Sequence, residues 1–147
     1  MSKQVSPTPL KIDDLPLWKK IDAIVEHVYD ALPEFPEEEK WQTSFKLRSS
    51  ANDLLFTTAQ ALGNASPTGA EHDWGQVQKH ALALKTMYRF AGRQHFIKLD
   101  PQVMVDLDAI LQSIDKSVAA AYEQTKEFNK QDLAMWHEKY KLWKETM

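Results

Sequence analysis

Glycine is scarce in this chain, and its scarcity limits what the chain can fold into. The sequence holds four glycines among 147 residues, whereas a protein built from many short strands needs a tight turn, usually with glycine, after each of them. Between the breaks, apolar side chains recur at intervals of three and four residues, which is the period of an amphipathic helix. No segment shows sustained alternation of apolar and polar residues, and no Asn-Gly hairpin dipeptide occurs. The sequence therefore predicts an all-α protein.

The breaks divide the chain into four main helices, expected to form an up-and-down bundle, and an extra short helix at the C-terminus. A flexible tail, residues 1–13, precedes the bundle, residues 14–125, and the C-terminal helix belongs to residues 126–147. Asp13 or Asp14 is the expected N-cap of the first helix, because short polar side chains accept hydrogen bonds from the first turn. The predicted helices cover about residues 14–32, 36–62, 71–96 and 101–125.

The second helix has two possible core faces. One stripe begins with Trp41 and Phe45 but also carries the polar residues Arg48 and Asn52, which suggests an internal polar contact or a face open to a partner. A small rotation of the helix gives the alternative stripe Leu47, Ala51 and Leu54. The pattern leaves both faces open.

The third helix is apolar around much of its circumference. Its core stripe consists of Val77, Ala81, Leu84, Tyr88 and Ala91. Leu82, Met87 and Phe90 lie off that stripe, and a helix of this kind is either buried at the centre of a fold or shared with a second subunit. Phe90 is therefore a candidate interface residue.

The predicted C-terminal helix carries a narrow aromatic stripe. Leu133, Trp136, Tyr140 and Trp143 repeat at intervals of three and four, as in a coiled coil. A short helix is marginal by itself in water, so we expect this side to dock on the bundle or on a partner chain. Trp136, Tyr140 and Trp143 join Phe90 as candidate interface residues.

Positive charge is concentrated in the third helix. The chain has a net charge of −3, yet residues 64–99 carry five basic and two acidic side chains, a local charge of +3. Lys85, Arg89 and Arg93 are spaced by four residues and align along one side of the helix. Such a stripe can follow phosphates, and with Lys79 it forms the candidate nucleic-acid-binding set. The alternative is an ordinary solvated helix face.

Sequence motifs for chemistry are absent. The chain has no cysteine, no Walker or G-x-S-x-G motif, and no Glu-x-x-His pair of the kind that builds di-iron sites in bundles. We therefore expect no catalytic residues, no metal and no cofactor, and hence a protein that is not an enzyme. Neither a signal peptide nor an apolar run of the roughly 20 residues that a bilayer crossing needs is visible. A cytoplasmic location, away from membranes, is the expectation.

Two segments at the start of the second helix carry a recognisable pattern. They are Phe35-Pro36-Glu37-Glu38-Glu39-Lys40-Trp41 and Phe45-Lys46-Leu47-Arg48-Ser49-Ser50-Ala51. This resembles the bacterial family of four-helix-bundle proteins encoded in 23S rRNA intervening sequences, which has a proline-acidic helix start followed by Gln-Leu-Arg-Arg-Ala-Ala. Leu47, Arg48 and Ala51 match that motif, whereas Lys46, Ser49 and Ser50 depart from it. The family's next motif, Asn-Ile-Ala-Glu-Gly, is replaced here by Thr57-Thr58-Ala59-Gln60-Ala61.

The later helices resemble a sister branch, the accessory variability determinant of diversity-generating retroelements. The resemblance rests on Leu84, Tyr88, Arg89, Phe90 and Ala91, and on the fourth helix from Asp100 through Ile114-Asp115-Lys116. It implies a four-helix protomer that assembles into a ring, commonly a pentamer, and that binds a reverse transcriptase and RNA through basic surfaces without enzymatic activity. The chain departs from that branch, which is strongly basic, in being acidic overall.

Two hypotheses about function follow. In the first, the protein is a non-enzymatic, ring-forming accessory protein of such a retroelement, which binds reverse transcriptase and RNA through Lys85, Arg89 and Arg93. In the second, it is a structural, oligomeric protein–protein interaction module that does not bind nucleic acid.

Overall fold

Four α-helices form an up-and-down bundle in the computed structural model, which describes residues 12–147. The helices are α1 (Pro16–Ala31), α2 (Thr43–Gly63), α3 (Pro67–Arg93) and α4 (Pro101–Thr146), with short 3-10 turns at Ile12–Asp14, Leu32–Glu34 and Glu37–Glu39. Residues 12–147 contain no strand, which confirms the predicted all-α helical bundle. The predicted flexible tail falls mainly on residues 1–11, which lie outside the described part of the chain.

The core is built from one apolar stripe on each helix. On α3 the predicted stripe is confirmed, because Val77, Ala81, Leu84, Tyr88 and Ala91 are all fully buried. The helix lies between α2 and α4 and packs along both. The other helices add Ile21, Ile24, Val25, Val28, Leu47, Ala51, Leu54, Val103, Leu107, Ile110, Ile114 and Ala121. These side chains form one continuous core.

The structure shows which of the two possible faces of α2 is buried in the core. Leu47, Ala51 and Leu54 are fully buried, whereas Trp41 is 87% and Phe45 51% exposed. The rotated alternative is therefore correct. The polar residues of the exposed stripe are used at the surface: Asn52 Nδ2 donates to the Tyr29 hydroxyl on α1 at 2.9 Å, and the Arg48 guanidinium lies 5.4 Å from the centre of the Phe45 ring.

Several predicted helix boundaries are wrong for local reasons. The N-cap of α1 is Leu15 rather than Asp13 or Asp14, because Ile12–Asp14 forms a separate 3-10 turn. The acidic run Glu37–Glu39 forms another such turn, and α2 begins only at Thr43. Pro67 begins α3, four residues before the predicted start, because Ser66 acts as N-cap and its Oγ accepts from the Gly69 amide. The prolines thus set the starts of α1 and α3 at the first helical position.

The end of α3 is a tight reversal. His95 has φ 58°, in the left-handed region, and the Phe96 amide donates to the Ala91 carbonyl at 3.0 Å, which is the pattern of a Schellman motif. Directly beside it, a Cβ added to Gly92 would lie 2.8 Å from Leu99 Cβ. The glycine is therefore needed so that the link to α4 can cross close to the α3 backbone.

Tyr88 ties three elements together at this end of the bundle. Its side chain is fully buried, its hydroxyl accepts from the Asp100 amide at 2.8 Å, and His27 Nε2 on α1 lies 3.5 Å away. Burial raises the pKa of the Tyr88 phenol above its ordinary value of 10.0, although the hydrogen bond from Asp100 acts in the opposite direction. Tyr88 thus links α1 and α3 to the start of α4.

We expect a Tyr88→Phe variant to be less stable than the parent protein by about 1 kcal/mol at neutral pH, because the half-buried Asp100 amide loses its acceptor. The raised pKa means that the native state holds the phenolic proton more tightly than the unfolded chain. The contribution of Tyr88 is therefore complete below pH 10 and is lost as the pH rises through the folded-state pKa. Urea titrations at neutral pH and above about pH 10 measure the difference between the two proteins; a difference that grows in alkali would contradict this account.

The last helix is longer than predicted and has no break. Instead of ending near residue 125, with a separate short helix after it, α4 runs from Pro101 to Thr146 as one element of 46 residues, about 69 Å long. The last of its buried residues is Thr125, whose Oγ1 donates to the Pro67 carbonyl at the start of α3 at 2.9 Å. Beyond it lie residues 126–147, the α4 extension, whose side chains are exposed apart from the half-buried Asp132. The predicted C-terminal helix is therefore present as the end of α4, and it does not dock on the bundle.

Candidate functional site

The α4 extension carries the largest group of exposed apolar side chains among the described residues. Four of them, which we call the aromatic seam, are Leu133, Trp136, Tyr140 and Trp143, and each is between 56% and 64% exposed. The Tyr140 and Trp143 rings lie against each other, with centroids 5.9 Å apart. Phe128, Met135, Leu142 and Met147 are exposed on the same extension. The predicted interface residues Trp136, Tyr140 and Trp143 thus lie together on one helix face.

The aromatic seam partly continues the face of α4 that packs in the bundle. At 100° per residue, Trp136 and Trp143 lie within about 40° of the line drawn by Ile114, Ala121 and Thr125, and the centre of the seam lies about 60° from it. Those three residues are buried against the other helices, whereas the seam residues have no such cover. The side of α4 that is covered along the first half of the helix is therefore exposed to solvent along the second, where the two tryptophans lie on it.

The predicted basic stripe is divided by an ion pair. Lys85 Nζ contacts Asp108 Oδ1 on α4, and the Lys85 side chain is only 28% exposed. Arg89 and Arg93 are exposed, and neither forms an ion pair with an acidic side chain of residues 12–147. Lys85 is thus partly neutralised as a link between α3 and α4, while the two arginines keep their charge free.

Phe90 lies beside the two arginines. A shallow depression of about 330 Å³ is lined by Leu82, Lys85, Thr86, Arg89, Phe90 and Arg93. Phe90 is 44% exposed, and its ring packs edge-on against Phe96 with centroids 6.4 Å apart. The structure thus brings the predicted interface residue Phe90 together with three of the four predicted nucleic-acid-binding residues.

Lys79, the fourth predicted nucleic-acid-binding residue, lies outside this depression. It lines an open apolar groove of about 620 Å³ between α2 and α3, together with Phe45, Lys46, Ser49, Ser50, Leu82, Ala83, Thr86 and Met87. Phe45 and Leu82 are both more than half exposed. The outer face formed by α2 and α3, which we call the α2–α3 face, is therefore a second apolar surface.

A third cavity, of about 410 Å³, has charged side chains in its lining. His27, Asp30, Glu34, Lys98 and Asp100 surround it at the junction of α1 with the start of α4. Within residues 12–147, no group of three His, Asp or Glu side chains is arranged to hold a metal ion. One polar contact fixes the junction, since the Lys98 amide donates to Glu34 Oε1 at 3.2 Å. The polar groups around this cavity thus join neighbouring elements of the fold.

Sequence reasoning missed the ion pair between Lys85 and Asp108. Both residues are ordinary exposed charges by pattern, and only the rotation of α3 against α4 brings them together. It also missed the row of lysines beside the aromatic seam, Lys126, Lys130 and Lys144. They are four and then fourteen residues apart, and both spacings are close to whole numbers of helical turns, so the three lysines align on one side of the helix. Their alignment could have been recognised, had the extension been treated as one helix with α4.

No protein-family model matches the chain, and no curated protein is significantly similar to it. Among the helices of residues 12–147, none combines the length and apolar character that a membrane crossing requires. Three exposed surfaces are the candidate binding sites: the aromatic seam, the depression beside Arg89 and Arg93, and the α2–α3 face.

Proposed function

We propose that this protein is a non-enzymatic interaction module that binds another protein through the aromatic seam of the α4 extension. The observation that carries the proposal is the exposure of Leu133, Trp136, Tyr140 and Trp143 on a helix that leaves the bundle. Large exposed apolar patches on soluble domains are typical of binding surfaces, and tryptophan and tyrosine are enriched among the residues that dominate binding energy. Burying one such side chain contributes about 1.5–3 kcal/mol.

The geometry of the seam favours a protein as its ligand. Side chains at intervals of three and four form a ridge along a helix, and a second helix or an apolar groove accepts such a ridge. The extension carries five lysines and four acidic side chains, so its charges nearly cancel. A nearly neutral helix offers little attraction to phosphate compared with a basic one.

The first test is a photo-crosslinker placed on one face of the extension at a time. A benzoylphenylalanine at position 140 should form a discrete protein adduct in the native cell, whereas the same group in place of Glu138, on the opposite face, should not. The Trp136→Ala/Trp143→Ala variant should lose the adduct, because the seam then lacks its two largest side chains. Equal yields from both faces, or an adduct with nucleic acid alone, would refute the proposal.

Self-assembly belongs to the same proposal, and the α2–α3 face supports it. Phe45, Leu82 and Phe90 are exposed on the bundle rather than on the extension, so a ring of copies and a bound partner can occupy different surfaces. The resemblance to ring-forming bundle proteins points to five subunits.

Light scattering of the purified protein tests assembly. A five-subunit ring would have five times the 16.9 kDa mass of one chain. The Leu82→Glu/Phe90→Glu variant should reduce the mass to that of one chain, because a charge at each position costs more to bury than the apolar contact returns. Trp136→Ala/Trp143→Ala serves as the control and should leave the mass unchanged. A parent protein with the mass of a single chain would disprove self-assembly.

A second candidate function is RNA binding, as in the retroelement branch that the sequence resembles, with reverse transcriptase as the further partner. It is favoured by Arg89 and Arg93, which are exposed, free of ion pairs within residues 12–147, and adjacent to the ring of Phe90. Arginine binds phosphate through two parallel hydrogen bonds and stacks on bases. The short length of this surface and the pairing of Lys85 with Asp108 place it second.

Replacing Arg89 and Arg93 with glutamate tests RNA binding. If the arginines contact phosphate, the variant should bind a single-stranded RNA more weakly, and its affinity should depend less steeply on salt by about one to two phosphate contacts. The Asp108→Asn variant frees Lys85 and should strengthen binding. RNA affinity that is the same in all three proteins at low salt would eliminate this candidate.

A further inference from the structure

The charges of the α4 extension are sorted around the helix. At 100° per residue, Lys126, Lys130 and Lys144 lie about 60–100° from the centre of the aromatic seam, all on the same side. We call these three residues the basic row. Glu127, Glu138 and Glu145 lie about 160–180° from the seam, on the far side of the helix. All six side chains are exposed, so one edge of the seam is bordered by positive charge and these three glutamates face away from the seam.

The other edge of the seam is electrically balanced. Asp132 and Lys139 both lie there, and their charges are opposite. Neither they nor the lysines of the basic row take part in an ion pair within residues 12–147. The charges of the basic row are therefore available to a ligand, and they make one long edge of the seam positive.

We propose that the aromatic seam binds an amphipathic helix whose apolar stripe is bordered by acidic side chains. This inference deepens the proposed function and rests on it, since it names the chemistry of the partner at the same surface. Spacing of the seam at three and four residues matches the ridge of a second helix. Acidic residues at the border of that helix lie opposite the basic row, which selects the partner and its orientation.

A second copy of the extension fits this surface poorly. In an antiparallel pair that sets Trp136 against Tyr140 of the second copy, Lys130 approaches Lys144 of the second copy. In a parallel pair, Lys139 approaches that same lysine instead. Like charges at the border of a helical pair are unfavourable in both arrangements. The basic row thus disfavours self-pairing along the seam and favours an acidic partner.

The test uses two synthetic helical peptides and the full-length protein. Both peptides carry leucine at intervals of three and four, and they differ only at the positions that border this stripe, which are glutamate in one and lysine in the other. Fluorescence anisotropy of the labelled peptide measures affinity. We expect the glutamate peptide to bind at least about tenfold more tightly at low salt, as several weak exposed ion pairs together would give. The difference should shrink in about 0.5 M salt.

Charge reversal on the protein provides the matched comparison. The Lys130→Glu/Lys144→Glu variant should prefer the lysine peptide, because the border of the seam then has the opposite sign. The control variant Lys20→Glu/Lys116→Glu changes the net charge by the same amount on the bundle and should keep the original preference. Both pairs are exposed lysines, so neither change disturbs the core.

Several results would overturn the inference. They are equal affinity for the two peptides, preference of the parent protein for the lysine peptide, and absence of binding by either. A dimer that Trp136→Ala/Trp143→Ala converts to single chains would assign the seam to a second copy. A single-stranded RNA that binds the extension in competition with the glutamate peptide would assign it to nucleic acid. Equal peptide affinities that are both lost in the double tryptophan variant would refute only the acidic border and leave the proposed function standing.

Discussion

The unbroken backbone hydrogen bonding of α4 is the constraint on which the rest of the structure depends. The chain has no proline after Pro101 and no glycine after Gly92, so nothing interrupts the helix once Asp100 has capped it. Helix nucleation is unfavourable, whereas adding a residue to an existing helix costs little. Packing of α4 in the bundle supplies the nucleus, and residues 126–146 extend it. The bundle thereby holds a surface-exposed segment in a helical state that the segment alone would hold only marginally.

The core of this fold could be predicted from sequence because it depends on periodicity within single helices. The stripe of α3, from Val77 to Ala91, needed no knowledge of its neighbours. The face of α2 was different, since both stripes carry apolar residues and only the positions of α1 and α3 decide which one is buried. The end of α4 was predictable but was misinterpreted. Its polar residues 126–132 include lysine, glutamate and glutamine, which favour helix, so a polar stretch without glycine or proline continues a helix rather than ending it.

The ion pairing of charged side chains in the structure distinguishes the candidate surfaces more clearly than the sequence does. Lys85 and Arg89 are alike in the sequence, one helical turn apart, yet Lys85 is turned toward Asp108 and Arg89 toward solvent. Such a division depends on the rotation of two helices about their axes, which a stripe of charges on one helix does not specify. The charges of the α4 extension are different, because one helix alone determines their arrangement around the seam. Their sorting is therefore a property of the sequence once the helix is known to be continuous.

Stability of the α4 extension and binding at its seam are coupled. Any partner that binds only the helical form lowers the free energy of that form and so slows its fraying from the C-terminal end. The bundle stabilises the same helix from its N-terminal side. Because it holds the extension helical before the partner binds, less conformational entropy is lost on binding. A partner helix would then meet a seam already arranged on one face, with Trp136 and Trp143 about 10 Å apart along the axis. Affinity at the seam therefore depends on the integrity of a bundle that the partner does not touch.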